Sequence, residues 1–143
     1  MTYAETLTAQ HRACDADLVR AEQMTQRANW HKAEQAVSDF VDHTEAHLSY
    51  EEQTLFPQLE AALPMAAGPT AVMRGEHGEI RTLSSELTAA VAAHDAAAVS
   101  DLVETLLLLL QQHNAREEAV LYPLADRELA PDARLAGTME QPR

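Results

Sequence analysis

The chain repeats itself. The segment His47-Leu-Ser-Tyr-Glu51-Glu52-Gln-Thr-Leu55-Phe56-Pro57 is answered 66 residues later by His113-Asn-Ala-Arg-Glu117-Glu118-Ala-Val-Leu121-Tyr122-Pro123. The same offset pairs His11 with His77, Leu7 with Met73, Cys14 with Ile80, Asn29 with Asp95, and Phe40-Val41 with Leu106-Leu107. Self-similarity at one fixed offset is the mark of a duplicated structural unit. Each unit carries a first histidine 36 residues before a second. Whatever this chain folds into has to be built from two copies of one unit.

Each unit reads as two helices, because its apolar positions recur at spacings of three and four. The first helix is predicted over 3–26, with Leu7, His11, Cys14 and Leu18 on its inward stripe. Asn29 suits an N-cap. It opens a second helix over 30–62, whose stripe runs Ala33, Ala36, Phe40, His43, His47, Tyr50/Glu51 and Leu55. Leu63-Pro64 and Gly68-Pro69 read as breaks. A third helix follows over 70–93, with Met73, His77, Ile80, Leu87 and Val91 inward. Asp95 caps a fourth over 96–129. Pro57 and Pro123 fall inside the second and fourth patterns, where each is expected to kink its helix or end the regular part of it. No segment alternates with period two. Four amphipathic helices with short connections give an all-α, antiparallel up-down-up-down four-helix bundle. The domain is expected over 1–130, followed by a loosely ordered tail over 131–143 that lacks periodicity.

A length of 143 residues suits one such domain. The formal net charge of −13 repels phosphate backbones and anionic lipid, so neither nucleic acid nor a membrane is an expected partner. Cys14 is the only cysteine, so no internal disulfide forms, which fits a reducing, cytoplasmic setting. The opening MTYAETLTAQ does not read as a signal peptide. The longest apolar run, Leu106 to Leu110, is too short to span a bilayer.

Residues four apart stack on one helix face. His47 and Glu51 therefore project together, as do His113 and Glu117. His11 and His77 add one mid-helix imidazole each, and an antiparallel bundle brings mid-helix positions to a common level. Four imidazoles and two carboxylates then converge in an aliphatic core. Burying unpaired carboxylates is strongly unfavourable, and a cation resolves the conflict by binding both ligand types at once. Nitrogen and oxygen ligation without thiolate suits iron or manganese better than structural zinc. Six side chains are too many for one zinc ion and suit two metals bridged by the carboxylates. Two octahedral ions offer about twelve positions; the side chains fill about eight, a bridging oxygen about two, and about two remain for an exogenous ligand. Glu52 and Glu118 sit about 100° further around their helices and read as solvated. His31 and His94, near helix starts, read as exposed, and Cys14 reads as packing.

The set of His11, His47-Leu-Ser-Tyr-Glu51-Glu52 with Leu55-Phe56-Pro57, His77, and His113-Asn-Ala-Arg-Glu117-Glu118 with Leu121-Tyr122-Pro123 resembles the hemerythrin-like, HHE cation-binding family over about residues 5–129. The resemblance implies a bundle holding two iron ions with a bridging oxo or hydroxo group. It implies binding or sensing of dioxygen, or reaction with hydrogen peroxide or nitric oxide. It makes His11, His47, Glu51, His77, His113 and Glu117 the metal ligands. The chain departs from the oxygen-carrying members in two places. Met73 stands where they have a fifth histidine, and Glu117 follows its histidine by four residues rather than five, which makes Glu118 an alternate ligand. A missing histidine leaves a position to fill and weakens the case for simple reversible oxygen carriage.

Two residues on the His47 stripe are candidates to fill it, His43 and Tyr50, whose repeat counterparts are Leu109 and Arg116. A Tyr50 phenolate would favour ferric iron. The plainer alternative gives His43 an outer hydrogen bond and leaves the Tyr50 hydroxyl wet. A ferritin-like site is excluded by the absence of any Glu-x-x-His, and a zinc protease by the absence of His-Glu-x-x-His. Three functions remain: a binding protein that senses, buffers or stores; an enzyme decomposing peroxide or nitric oxide; or an iron store or structural metal site.

Overall fold

Each long helix begins where the sequence supplies a side chain for its free N–H groups. The structure, a computed structural model, describes residues 1–135. Helix α1 (Tyr3–Gln26) opens on a capping box in which Thr2 and Glu5 satisfy one another's backbone. Helix α2 (Trp30–Tyr50) is capped by Asn29, which accepts from the Lys32 N–H at 3.2 Å. A π turn, Glu51–Leu55, links it to α3 (Phe56–Ala62). A 3₁₀ turn, Pro64–Ala66, leads into α4 (Ala67–Ala92). Asp95 caps α5 (Ala96–Arg116), a second π turn covers Glu117–Leu121, and α6 (Tyr122–Glu128) completes the last rod. Residues 136–143, most of the expected loose tail, lie outside the described residues.

The result is an all-α four-helix bundle, and no strand occurs among the described residues. Helix α1 packs on α2 and α5, and α4 packs on the same two, which closes a square. No helix in the described residues is long and apolar enough to cross a membrane. The two joints within the repeats, α1 to α2 and α4 to α5, are congruent. Ala28 and His94, one repeat apart, both adopt left-handed φ angles of 55° and 54°. The Asn29 N–H then reaches back to Met24 C=O at 2.8 Å, and the Asp95 N–H to Ala90 C=O at 3.0 Å. These are Schellman closures, each leading directly into the next N-cap.

Three expectations need correction or extension. Gly68-Pro69 does not break the chain, because α4 starts at Ala67 and runs through both. Pro69 is the third residue of the helix, where its missing N–H has no helical acceptor to lose. The two inner prolines do perturb their helices, and they do so through π turns immediately upstream. A wider turn relieves the clash of a proline ring with the carbonyl four residues before it. The segment 131–135, read as the start of the aperiodic tail, is packed in part. Leu135 is buried in the same apolar cluster as Tyr3 and Leu7, and Asp132 accepts a hydrogen bond from the Tyr50 hydroxyl at 2.9 Å.

The core divides in two. One apolar cluster holds Cys14, Leu18, Phe40, Ile80, Leu87 and Leu106. The other holds Leu7, Leu55, Phe56, Met73, Leu121 and Tyr122. His11 lies between Leu7 and Cys14 on α1, and His77 between Met73 and Ile80 on α4. A polar belt thus crosses the bundle between two dry compartments.

Candidate metal centre

The belt is made of the six residues singled out in the sequence. His11, His47, Glu51, His77, His113 and Glu117 are all at most 5 % exposed. They form two groups that share both carboxylates. His11, His47, Glu51 and Glu117 present ligand atoms within 4.8 Å of one another, and so do Glu51, His77, His113 and Glu117. Glu51 offers Oε2 towards His47 at 3.4 Å and Oε1 towards His77 at 3.1 Å. Glu117 Oε1 lies 3.0 Å from His11 Nε2 and 3.3 Å from His113 Nε2. In both groups the imidazoles offer Nε2.

The outer ring nitrogens explain why. His11 Nδ1–H donates to Glu118, His47 Nδ1–H to Gln10, His77 Nδ1–H to Glu52 and His113 Nδ1–H to Glu76, each at 2.7 Å. A carboxylate or amide oxygen only accepts, so each Nδ1 carries a proton, which leaves Nε2 as the nitrogen available to a cation. Glu52 is held in turn by Arg81, at 2.8 and 3.0 Å, and Glu76 by Arg116. Glu52 and Glu118 are therefore not merely solvated, as the sequence suggested. They orient histidines from the other half of the repeat. Glu118 does so at the outer nitrogen of His11, and it is not among the residues of the two ligand groups.

Without a cation this inner arrangement is unbalanced. Nε2 of His11 and Nε2 of His47 lie 3.1 Å apart, lone pair to lone pair. Glu51 Oε1, His77 Nε2, His113 Nε2 and Glu117 Oε2 are buried with no hydrogen-bond partner, four of the six such side-chain atoms in the described residues. Buried polar atoms are nearly always paired, and here the orphans converge on one point. The electrostatics agree. Burial and the charge of Glu51 push the Glu117 carboxyl up to about 7, so the two acids do not both ionise unaided. Burial alone would depress His113, yet Glu117, Glu76 and Glu51 hold it up at about 9. His11 is pushed down by burial despite Glu118. A divalent or trivalent cation fits this donor set and relieves each of these conflicts.

The residues proposed to fill the extra position go elsewhere. His43 Nδ1 meets Asp17 at 2.6 Å, and Tyr50 donates to Asp132. Met73 is buried in the apolar compartment. His31 and His94 are exposed, although His94 stacks flat on Trp30 at 4.6 Å. Cys14 lies in the apolar core, where burial pushes its thiol up to about 12.

Sequence reasoning missed Tyr122. Its side chain is fully buried, and its hydroxyl lies 2.6 Å from Glu51 Oε2, 3.0 Å from Glu117 Oε1, 2.9 Å from His11 Nε2 and 3.3 Å from His47 Nε2. Tyr122 follows Glu117 by five residues, about 140° off its face in an ordinary α-helix. The π turn brings the fifth residue back over the first. Proline one residue after an aromatic was the available signal. Burial, followed by the charges of Glu51 and Glu117, holds the phenol well above its ordinary range while no cation is present.

An all-α bundle crossed by a buried, duplicated histidine–carboxylate belt defines a cation-binding protein. The chain belongs to the hemerythrin family, described as the hemerythrin HHE cation binding domain, which it matches over residues 2–125. No curated protein and no solved structure matches it.

Proposed function

We propose that this chain holds a non-haem di-iron centre, with the oxo or hydroxo bridge that its family implies, and that it binds or reacts with dioxygen, hydrogen peroxide or nitric oxide. His11 and His47 would hold one ion, His77 and His113 the other, and Glu51 and Glu117 both. The observation that carries this reading is the convergence of four orphaned ligand atoms, Glu51 Oε1, His77 Nε2, His113 Nε2 and Glu117 Oε2, in a buried core. Such a centre supplies reversible ferrous–ferric chemistry and an open position for a small ligand.

The protein's own residues do the rest. Four Nδ1–H bonds lock the imidazoles as neutral donors. The apolar compartments on either side exclude bulk water and strengthen every charge interaction inside. The test is metal content with an optical spectrum of the ferric protein, with and without azide. We expect two irons per chain and an azide-sensitive charge-transfer band. One ion per chain, or a spectrum indifferent to azide, overturns the di-iron reading. Steady oxygen evolution from peroxide by the iron-loaded protein selects turnover. A single stoichiometric adduct selects binding, as in a sensor or store.

A further inference from the structure

The two ligand groups are alike in four atoms and unlike in a fifth. We propose, resting on the di-iron reading above, that Tyr122 contributes its phenolic oxygen as a further donor to the ion held by His11 and His47, and that the His77–His113 ion carries the open position.

The geometry singles out one side of the centre. The Tyr122 hydroxyl is within 3.3 Å of all four ligand residues of the first group, through one atom of each. Its repeat counterpart is Phe56, a ring stacked 5.8 Å from His77 with no donor atom to offer. The hydroxyl carries one proton, which it donates to Glu51 at 2.6 Å. That leaves its oxygen facing the Nε2 lone pairs of His11 and His47, whose protons are committed outward to Glu118 and Gln10, and one oxygen of Glu117. Five electron-rich atoms thus crowd around one point. A cation among them turns every one of those contacts into a bond. A phenolic oxygen is hard and anionic once ligated, so it suits ferric iron better than ferrous. On the other side, Glu51 Oε1, His77 Nε2, His113 Nε2 and Glu117 Oε2 are the orphaned atoms, and the Phe56 ring beside His77 adds no ligand.

Ligation exchanges the phenolic O–H bond for an oxygen–iron bond. The proton leaves to solvent and no electron changes hands. The duplication supplied a symmetric frame, and one aromatic position, Tyr122 against Phe56, makes the two ions inequivalent.

The experiment uses the full chain loaded with ferric iron. Resonance Raman excited in the visible band is expected to show tyrosinate ring modes. Three tyrosines are present in the chain, Tyr3, Tyr50 and Tyr122. Tyr3→Phe/Tyr50→Phe leaves Tyr122 alone and is expected to keep those modes at full strength. Tyr122→Phe copies the counterpart residue and is expected to lose them at least tenfold while retaining two irons per chain. Tyrosinate modes absent from an iron-loaded wild type, lost in the double variant, or retained in Tyr122→Phe overturn the assignment and leave the di-iron centre standing. A wild type that takes up no iron pair fails earlier, at the metal count, and removes both proposals. The double variant keeps the question decidable if Tyr122→Phe does not fold.

Discussion

The first half of the centre and the second share a frame and differ in its dressing. Around His11 and His47 the outer acceptors are Glu118 and Gln10, and the inner neighbour is the Tyr122 hydroxyl. Around His77 and His113 they are Glu52 and Glu76, both braced by arginines, and the inner neighbour is the Phe56 ring. Glu118 and Glu52 are repeat partners, as are Gln10 and Glu76. The duplication therefore preserved every outer contact and changed one from carboxylate to amide. A carboxylate on Nδ1–H makes imidazole a stronger donor than an amide does. The His11–His47 side has one such carboxylate and an inner hydroxyl, and the His77–His113 side has two carboxylates and no inner oxygen. Ligand identity in a duplicated site is hard to vary, because both halves share Glu51 and Glu117. The layers just inside and outside it are where the halves can diverge.

The shared carboxylates give the largest effect. Glu51→Gln is expected to weaken binding of both ions by more than about 100-fold, beyond the range seen for outer-layer changes. His77→Ala and His11→Ala should each empty mainly their own side. Metal analysis after equilibration against a chelator checks this. Without metal, and against the pull of burial, His47 and His77 hold the Glu51 carboxyl well below its ordinary range, so metal-free Glu51→Gln should melt at a lower temperature than metal-free wild type. Equal metal loss from Glu51→Gln and His77→Ala would mean that the carboxylates are not shared.

Acidity sharpens the same comparison. Binding must expel the protons held in the metal-free belt. Burial and Glu51 raise the Glu117 carboxyl to about 7, and the surrounding carboxylates raise His113 to about 9. Apparent affinity should therefore fall as pH falls, and fall more steeply below about 7, where both groups hold protons. In the metal-free chain the Glu117 shift has the opposite consequence. Between the ordinary carboxyl range and about 7 the folded state holds a proton that the unfolded state has lost. Its contribution thus makes the fold less stable as pH rises through that window. Cobalt(II) titrations followed by visible absorption from pH 6 to 9 test the first slope. An affinity flat across that range would contradict it.

In the outer layer, Glu76→Gln makes the second half resemble the first. It should lower affinity at that side about tenfold. Gln10→Glu makes the reverse change and should raise affinity on the first side by a smaller factor. Isothermal titration with cobalt(II), resolving two binding steps, would report which step moves. If either substitution moves both steps equally, the halves are energetically one unit.

Much of this was legible from spacing alone. The 66-residue offset located both His-x-x-x-Glu turns, and α1 (Tyr3–Gln26) covers the predicted span of 3–26. Asn29 and Asp95 were readable as caps because their side chains act locally. Tyr122 was not legible because helical periodicity assumes 3.6 residues per turn, and the π turn suspends that rule where the site is built. Tyr50 looked better on the helical stripe and turns instead to Asp132, a residue of the segment read as loose. Glu52 and Glu118 read as solvated helix faces, and Gln10 and Glu76 carried no signal in the sequence. Their partners lie across the bundle, and period says nothing of what faces it.

The smallest effect concerns the two joints. Ala28 and His94 hold the same left-handed backbone, with φ of 55° and 54°. A side chain in that region costs about 1–2 kcal/mol against glycine. Ala28 is exposed, so Ala28→Gly should recover about 1 kcal/mol, visible as a rise in midpoint denaturant concentration. His94 differs, because its ring lies on Trp30 with planes 2° apart at 4.6 Å. His94→Gly relieves the same backbone but gives up that stack, which is worth about 0.5–1.5 kcal/mol. The two substitutions should therefore diverge, with Ala28→Gly stabilising and His94→Gly near neutral. Combining His94→Gly with Trp30→Ala should restore the missing gain, since the stack is then absent from both sides of the comparison. Equal gains from the two single changes would mean that the Trp30–His94 contact contributes nothing and that the joints, unlike the metal halves, never diverged.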